Sequence, residues 1–91
     1  METKQHVVGI DVSKARLDWA VHEQTEGGEV ANDEAGCRAL LQRLMGCKPR
    51  LIVLEATGGL ETLIVSTLAA AGLASTTITH SRAVSRIFWS I

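Results

Sequence analysis

His6-Val7-Val8-Gly9-Ile10-Asp11-Val12-Ser13-Lys14 is the stretch whose reading decides the fold of this chain. Val7, Val8, Ile10 and Val12 are β-branched, and such side chains suit a pleated, packed surface. The run reads as a buried strand that leads straight into one carboxylate. A lone buried carboxylate costs roughly several kcal/mol unless it is paired, protonated or metal-bound, so Asp11 needs a partner. The best one in the sequence is Glu55, which closes a second apolar run, Leu51-Ile52-Val53-Leu54-Glu55. Side chains alternate along a strand, so Val7, Gly9 and Asp11 share one face, and Leu51, Val53 and Glu55 share one face of theirs. If the two strands are neighbours, Asp11 and Glu55 converge near the carboxyl ends of the sheet, where open α/β sheets place their sites.

The remaining chain supplies the elements around these strands. Arg16 to Glu23 alternates polar and apolar with Leu17, Trp19 and Val21 on one side, which is a strand with one solvated face. The short link before it implies an antiparallel hairpin. Thr25-Glu26-Gly27-Gly28 reads as a turn, and Glu29 to Asn32 as a short edge strand. Asp33 opens a helix whose stripe is Cys37, Leu40, Leu41, Leu44 and Met45, with Gly46 as its stop and Pro49 beyond it. Leu51 to Leu54 is continuous enough for a strand covered on both faces. A turn over Thr57-Gly58-Gly59 leads to a second helix, about 60–71, ended by Gly72, and residues 74–79 form a fifth strand. Ser81 caps a third helix over 81–91, in which Val84, Ile87, Phe88 and Ile91 recur at helical spacing. The expected order is β-β-β-α-β-α-β-α, with strands one, four and five parallel.

Composition excludes several classes. Ninety-one residues suffice for one small domain and not for two. The 46% hydrophobic content fits a globular chain, and no apolar run approaches the ~18 residues of a membrane span. The polar start runs directly into a strand, so no signal peptide is expected. Cys37 and Cys47 have no metal-site spacing and read as reduced structural thiols, so a cytoplasmic location is expected. A net charge of −1 counts against autonomous nucleic-acid binding by these residues, though not against a role beside a more basic segment.

The chemistry lies in the acidic pair. Two carboxylates in close proximity repel, and a divalent cation relieves the repulsion. Oxygen-only ligands favour magnesium or manganese over zinc. In a second reading, Asp11 caps a loop and Glu55 a helix, each satisfied by backbone N–H groups. Lys14 suits a phosphate contact or plain solvation, and Ser13 a bond to Asp11 or a turn. Thr57, Gly58 and Gly59 suit a phosphate at a helix N-terminus, or capping and tight-turn geometry. Asp18 falls opposite the Leu17, Trp19 and Val21 face, toward solvent. His6, His22 and His80 lack ligand spacing.

Gly9-Ile10-Asp11-Val12-Ser13-Lys14, followed by Leu17-Asp18-Trp19-Ala20-Val21, resembles the opening of the DEDD-type transposases of the insertion-sequence one-ten family. Leu54-Glu55-Ala56-Thr57-Gly58-Gly59 resembles that family's second motif at about the expected distance. The likeness runs from about His6 to Thr79. It implies a RuvC-like, ribonuclease H-like domain, residues 1–91 being one partial N-terminal domain of a longer relative. It implies Asp11 and Glu55 as the first two acidic ligands of a magnesium or manganese site for DNA strand cleavage and transfer. The family's other two aspartates and its serine nucleophile have no counterpart in this chain. The fragment alone is therefore expected to be inactive and to hold the ion weakly. For an intact relative the likeness implies DNA as partner and, in some members, a structured guide RNA.

Two other classes compete. An ATP-binding domain of the sugar-kinase and actin type also opens with an aspartate on its first strand, but Val12-Ser13-Lys14 lacks the glycine that would let phosphate approach. A non-catalytic assembly module is the third reading. The stripe of the 81–91 helix suggests self-association through Ile87, Phe88, Trp89 and Ile91, giving a homo-oligomer.

Overall fold

The hairpin formed by the first two strands, His6–Val12 and Arg16–Val21, is set by a two-residue loop. The Ser13 N–H donates to the Arg16 carbonyl at 3.0 Å. In return, the Arg16 N–H donates to Ser13 Oγ at 3.3 Å, and that hydroxyl donates to the Arg16 carbonyl at 2.9 Å. Only Lys14 and Ala15 lie between, so the register of both strands follows from the turn. The turn role of Ser13 is thus realised. A computed structural model describes residues 6–22, 25–56 and 59–79 of the chain. Thr57, Gly58, His80 and the helix expected over 81–91, with Ile87, Phe88, Trp89 and Ile91, lie outside the described residues.

The elements are β1 (His6–Val12), β2 (Arg16–Val21), β3 (Gly27–Ala31), α1 (Glu34–Cys47), β4 (Pro49–Ala56), α2 (Thr62–Ala70) and β5 (Thr76–Thr79). They form a mixed α/β unit around a five-stranded sheet of order β3-β2-β1-β4-β5. β2 runs antiparallel to β1 and β3, whereas β1, β4 and β5 are parallel, as the helical crossovers require. Val8, Ile10, Val12, Leu17, Trp19, Val21, Ile52, Leu54 and Ala56 occupy one face of the sheet. Cys37, Leu40 and Leu44 of α1 and Ile64 and Leu68 of α2 pack against it, and the two helices touch each other. Both helices therefore lie on the same side. The opposite face carries Val7, Gly9, Asp11, Asp18, Leu51, Val53 and Glu55.

Several boundaries differ from the expectation. Gly27 and Gly28 are strand, not turn, opposite Ala20 and Trp19. A Cβ at Gly28 would meet the Trp19 indole nitrogen at 3.3 Å, and one at Gly27 the Trp19 carbonyl at 2.7 Å. These glycines make room for a buried tryptophan and a close backbone, which a glycine pair in isolation does not reveal. Gly46 does not stop α1. The helix runs on to Cys47 and ends on Lys48, whose left-handed backbone (φ 52°) lets its N–H reach the Leu44 carbonyl. Pro49 then begins β4, a strand position that needs no N–H. Met45, expected in the apolar stripe, is exposed at 48%. β2 ends two residues early, at Val21, and β5 starts two late, at Thr76.

The start of α1 is tightly built. Asp33 caps it, its carboxylate accepting from the Gly36 N–H at 2.7 Å. Gly36 is buried against β3, and a side chain there would run into the Ala31 backbone carbonyl.

Candidate functional site

The parallel ladder of β1 and β4 pairs Asp11 directly with Glu55. Opposed residues project to the same side, so the two carboxylates stand together on the face away from the helices, on strands about 4.8 Å apart. Gly9 and Val53 precede them on that face, and burial deepens along β4 from Leu51, 41% exposed, to Glu55, 5% exposed. Both Glu55 carboxylate oxygens are buried without a hydrogen-bond partner among the described residues. Asp11, half-buried, enters none of the ion pairs among the described residues. Among the described residues, neither acid accepts a hydrogen bond from a backbone N–H; Thr57 and Gly58, which follow Glu55 into the next turn, lie outside them.

The register extends the pair into a row. Asp18 lies opposite Asp11 on β2, and Glu29 opposite Asp18 on β3. Glu29, Asp18, Asp11 and Glu55 thus line up across four adjacent strands. Arg16 divides them: its guanidinium is 3.2 Å from Asp18 and 4.0 Å from Glu29. These groups are 57%, 41% and 61% exposed, so the ion pairs add little stability. Their effect is local charge: one guanidinium offsets one of the two negative charges on Asp18 and Glu29, and none of the ion pairs among the described residues reaches Asp11 or Glu55. Among the described residues, no group of three or more His, Cys, Asp or Glu is arranged to hold a metal ion. The candidate site is a pair of acids, and its donor set fits a hard divalent cation.

Two loops flank the pair at the carboxyl ends of β1 and β4, and Asn32 joins them. Its side-chain amide donates to the Ser13 carbonyl at 2.8 Å and to the Leu60 carbonyl at 3.3 Å. Its backbone N–H donates to the Ala15 carbonyl at 3.1 Å. Lys14 is exposed at the hairpin tip. Gly59 has φ 82°, a conformation that favours glycine, and its carbonyl accepts from the Thr62 hydroxyl at 2.9 Å.

The sequence reading missed Asn32 and the alignment of Asp18 and Glu29 with Asp11. The signal for Asp18 was present: counting outward from a two-residue turn at Lys14-Ala15 sets it against Asp11. Nothing local marks Asn32. The thiols stand apart from the site. Burial and then Asp33 push the Cys37 thiol up, and burial and then Glu26 do the same to Cys47. Both are free cysteines, and a raised thiol is a poor nucleophile and ligand. A cleft of about 380 Å³ lined by His6, Glu26, Gln42, Arg43, Gly46 and Cys47 lies toward the start of β1, at the other end of that strand from Asp11.

The sequence matches no protein-family model and no curated protein. In three dimensions the chain is similar to Archaeoglobus fulgidus Pelota, with a TM-score of 0.68 at 13% identity over 98% of this chain and 31% of that one. It is also similar to Thermus thermophilus RuvC, with a TM-score of 0.55 at 13% identity over 82% of this chain and 62% of that one. The chain thus spans less than two thirds of either protein. At such identity the likeness is one of fold, and RuvC fits a ribonuclease H-like arrangement of the sheet. No helix among the described residues is long and apolar enough to cross a membrane.

Proposed function

We propose that this chain is the N-terminal part of a DNA transposase or recombinase with a ribonuclease H-like fold. Asp11 and Glu55 contribute two acidic ligands to its cation site. The observation that carries this reading is the direct pairing of Asp11 with a buried Glu55 whose two oxygens have no hydrogen-bond partner among the described residues. A carboxylate desolvated without a partner is costly, and the motifs around both acids resemble those of DEDD transposases. Magnesium or manganese held there would supply Lewis-acid activation for phosphodiester cleavage. The chain's own residues orient and insulate: β1 and β4 fix the two acids in register, and Asn32 ties the flanking loops. Lys14, exposed beside them, suits a phosphate of the DNA, as do Thr57, Gly58 and Gly59.

The ATP-binding alternative is weaker, because the Ser13 hydroxyl is occupied by the Arg16 backbone and not free for phosphate. The apolar residues Ile87, Phe88, Trp89 and Ile91 are assigned to self-association. A monomer at high concentration in sedimentation overturns that assignment.

The test is titration of the chain with manganese and magnesium, with ATP as control. The native chain should bind the ions weakly, and Asp11→Asn and Glu55→Gln should abolish binding with the fold intact by circular dichroism. A folded native chain that binds neither ion at millimolar concentration overturns the cation reading and favours an assembly module. Binding of ATP with no dependence on Asp11 or Glu55 overturns it in favour of a nucleotide site.

A further inference from the structure

We infer that Arg16 withholds Asp18 from the cation site and thereby keeps it a two-carboxylate site. The inference rests on the cation reading of Asp11 and Glu55. Asp18 lies directly across the β1–β2 ladder from Asp11 and on the same face, in the place of a third ligand. Glu55, buried and without a hydrogen-bond partner among the described residues, marks the end of the row that calls for a ligand. Yet Asp18 does not complete a three-acid group. Its carboxylate is turned to Arg16, two residues earlier on the same strand and face, with the Nε–H donating to it at 3.2 Å. The same guanidinium reaches Glu29 on the next strand at 4.0 Å. Arg16 thus holds Asp18 and approaches Glu29, and Asp11 and Glu55 are left without an ion-pair partner among the described residues. Each of these ion pairs is exposed and weak, so removing the guanidinium frees Asp18 without disturbing the ladder. A freed Asp18 adds both a negative charge and an oxygen donor beside Asp11. Arg16 is therefore a specificity-determining residue, not a ligand. It sets the number of carboxylates offered to the ion, and ligand charge count is what tunes the affinity of a hard-cation site.

Manganese titration at low ionic strength tests this, with the free ion followed by electron paramagnetic resonance and the fold by circular dichroism. Native chain, Arg16→Gln, Asp18→Asn and the double variant are compared. Arg16→Gln should bind manganese about threefold to tenfold more tightly, the effect of losing one nearby cation and gaining one carboxylate at high dielectric. The gain should vanish in Arg16→Gln/Asp18→Asn. Unchanged affinity in Arg16→Gln overturns the inference. So does a gain that persists in the double variant, since that reflects bulk charge and not Asp18. A native chain that binds no manganese while Arg16→Gln does upholds the role of Arg16 but overturns the two-acid reading. Silence in both overturns the two together.

Discussion

At the scale of single residues, Glu55 presents a cost without a visible return. Its carboxylate is buried to 5% exposure, and neither oxygen has a hydrogen-bond partner among the described residues. Replacing a buried charge by an apolar side chain of similar volume is often stabilising. Glu55→Met should therefore raise the stability of the metal-free chain by about 1–3 kcal/mol, read from urea unfolding in a chelator. The same variant should lose cation binding, the usual trade of stability for function; a less stable Glu55→Met protein would mean that the carboxylate is a structural member instead. Cys37 gives a pH-dependent prediction. Its thiol is pushed up from 9.0 by burial and by Asp33. The unfolded chain loses that proton at lower pH than the folded one. Stability from this group is thus complete below about pH 9 and is lost as pH rises through the folded value. Unfolding curves at pH 7 and pH 10 should show less alkaline loss in Cys37→Ala than in the native chain.

At the scale of elements, the junction of β3 and α1 is the least tolerant. A methyl group on Gly36 meets the Ala31 backbone carbonyl, which cannot turn aside as a side chain can. Gly36→Ala should cost about 2–4 kcal/mol in urea unfolding. At the other end of α1, Lys48 holds a left-handed backbone at φ 52°. Lys48→Gly should gain about 0.5–1 kcal/mol, as the strain of a Cβ there is relieved and partly offset by unfolded-state entropy; a loss of stability would place the Lys48 side chain in a contact that matters. These two positions also show what a sequence can and cannot disclose. The strands were legible from β-branched runs and alternation, and the two helices from apolar spacing, because burial on one face imposes those periods. Asp11 and Glu55 were legible because a charge at the end of an apolar run violates its own pattern. Gly27, Gly28 and Gly46 were misleading because glycine serves close packing as readily as turns. Asn32 was silent, since its bonds reach residues 19 and 28 positions away.

At the scale of the molecule, charge and stoichiometry bound what these 91 residues can do. The chain carries ten acids and nine basic side chains, and none of the acids lies beyond Glu61. Arg16 holds Asp18 and approaches Glu29, so on the proposed reading Asp11 and Glu55, paired across β1 and β4, are the two acids offered to a cation. A site of two carboxylates binds a hard cation weakly, so the ion should act on folding by mass action. At ten times its dissociation constant, magnesium should stabilise the chain by about 1.4 kcal/mol. Asp11→Asn should remove that dependence while leaving unfolding in chelator nearly unchanged. The same arithmetic separates binding from catalysis. Two-metal cleavage needs a second ion beside the first, and the described residues offer no third acid free to hold it. Supercoiled plasmid incubated with the purified chain and millimolar magnesium should therefore remain uncut. Nicking that requires magnesium and disappears in Asp11→Asn would show that the pair alone suffices for strand cleavage, and the division of labour set out for Arg16, Asp18, Asp11 and Glu55 would have to be redrawn around an active half-site.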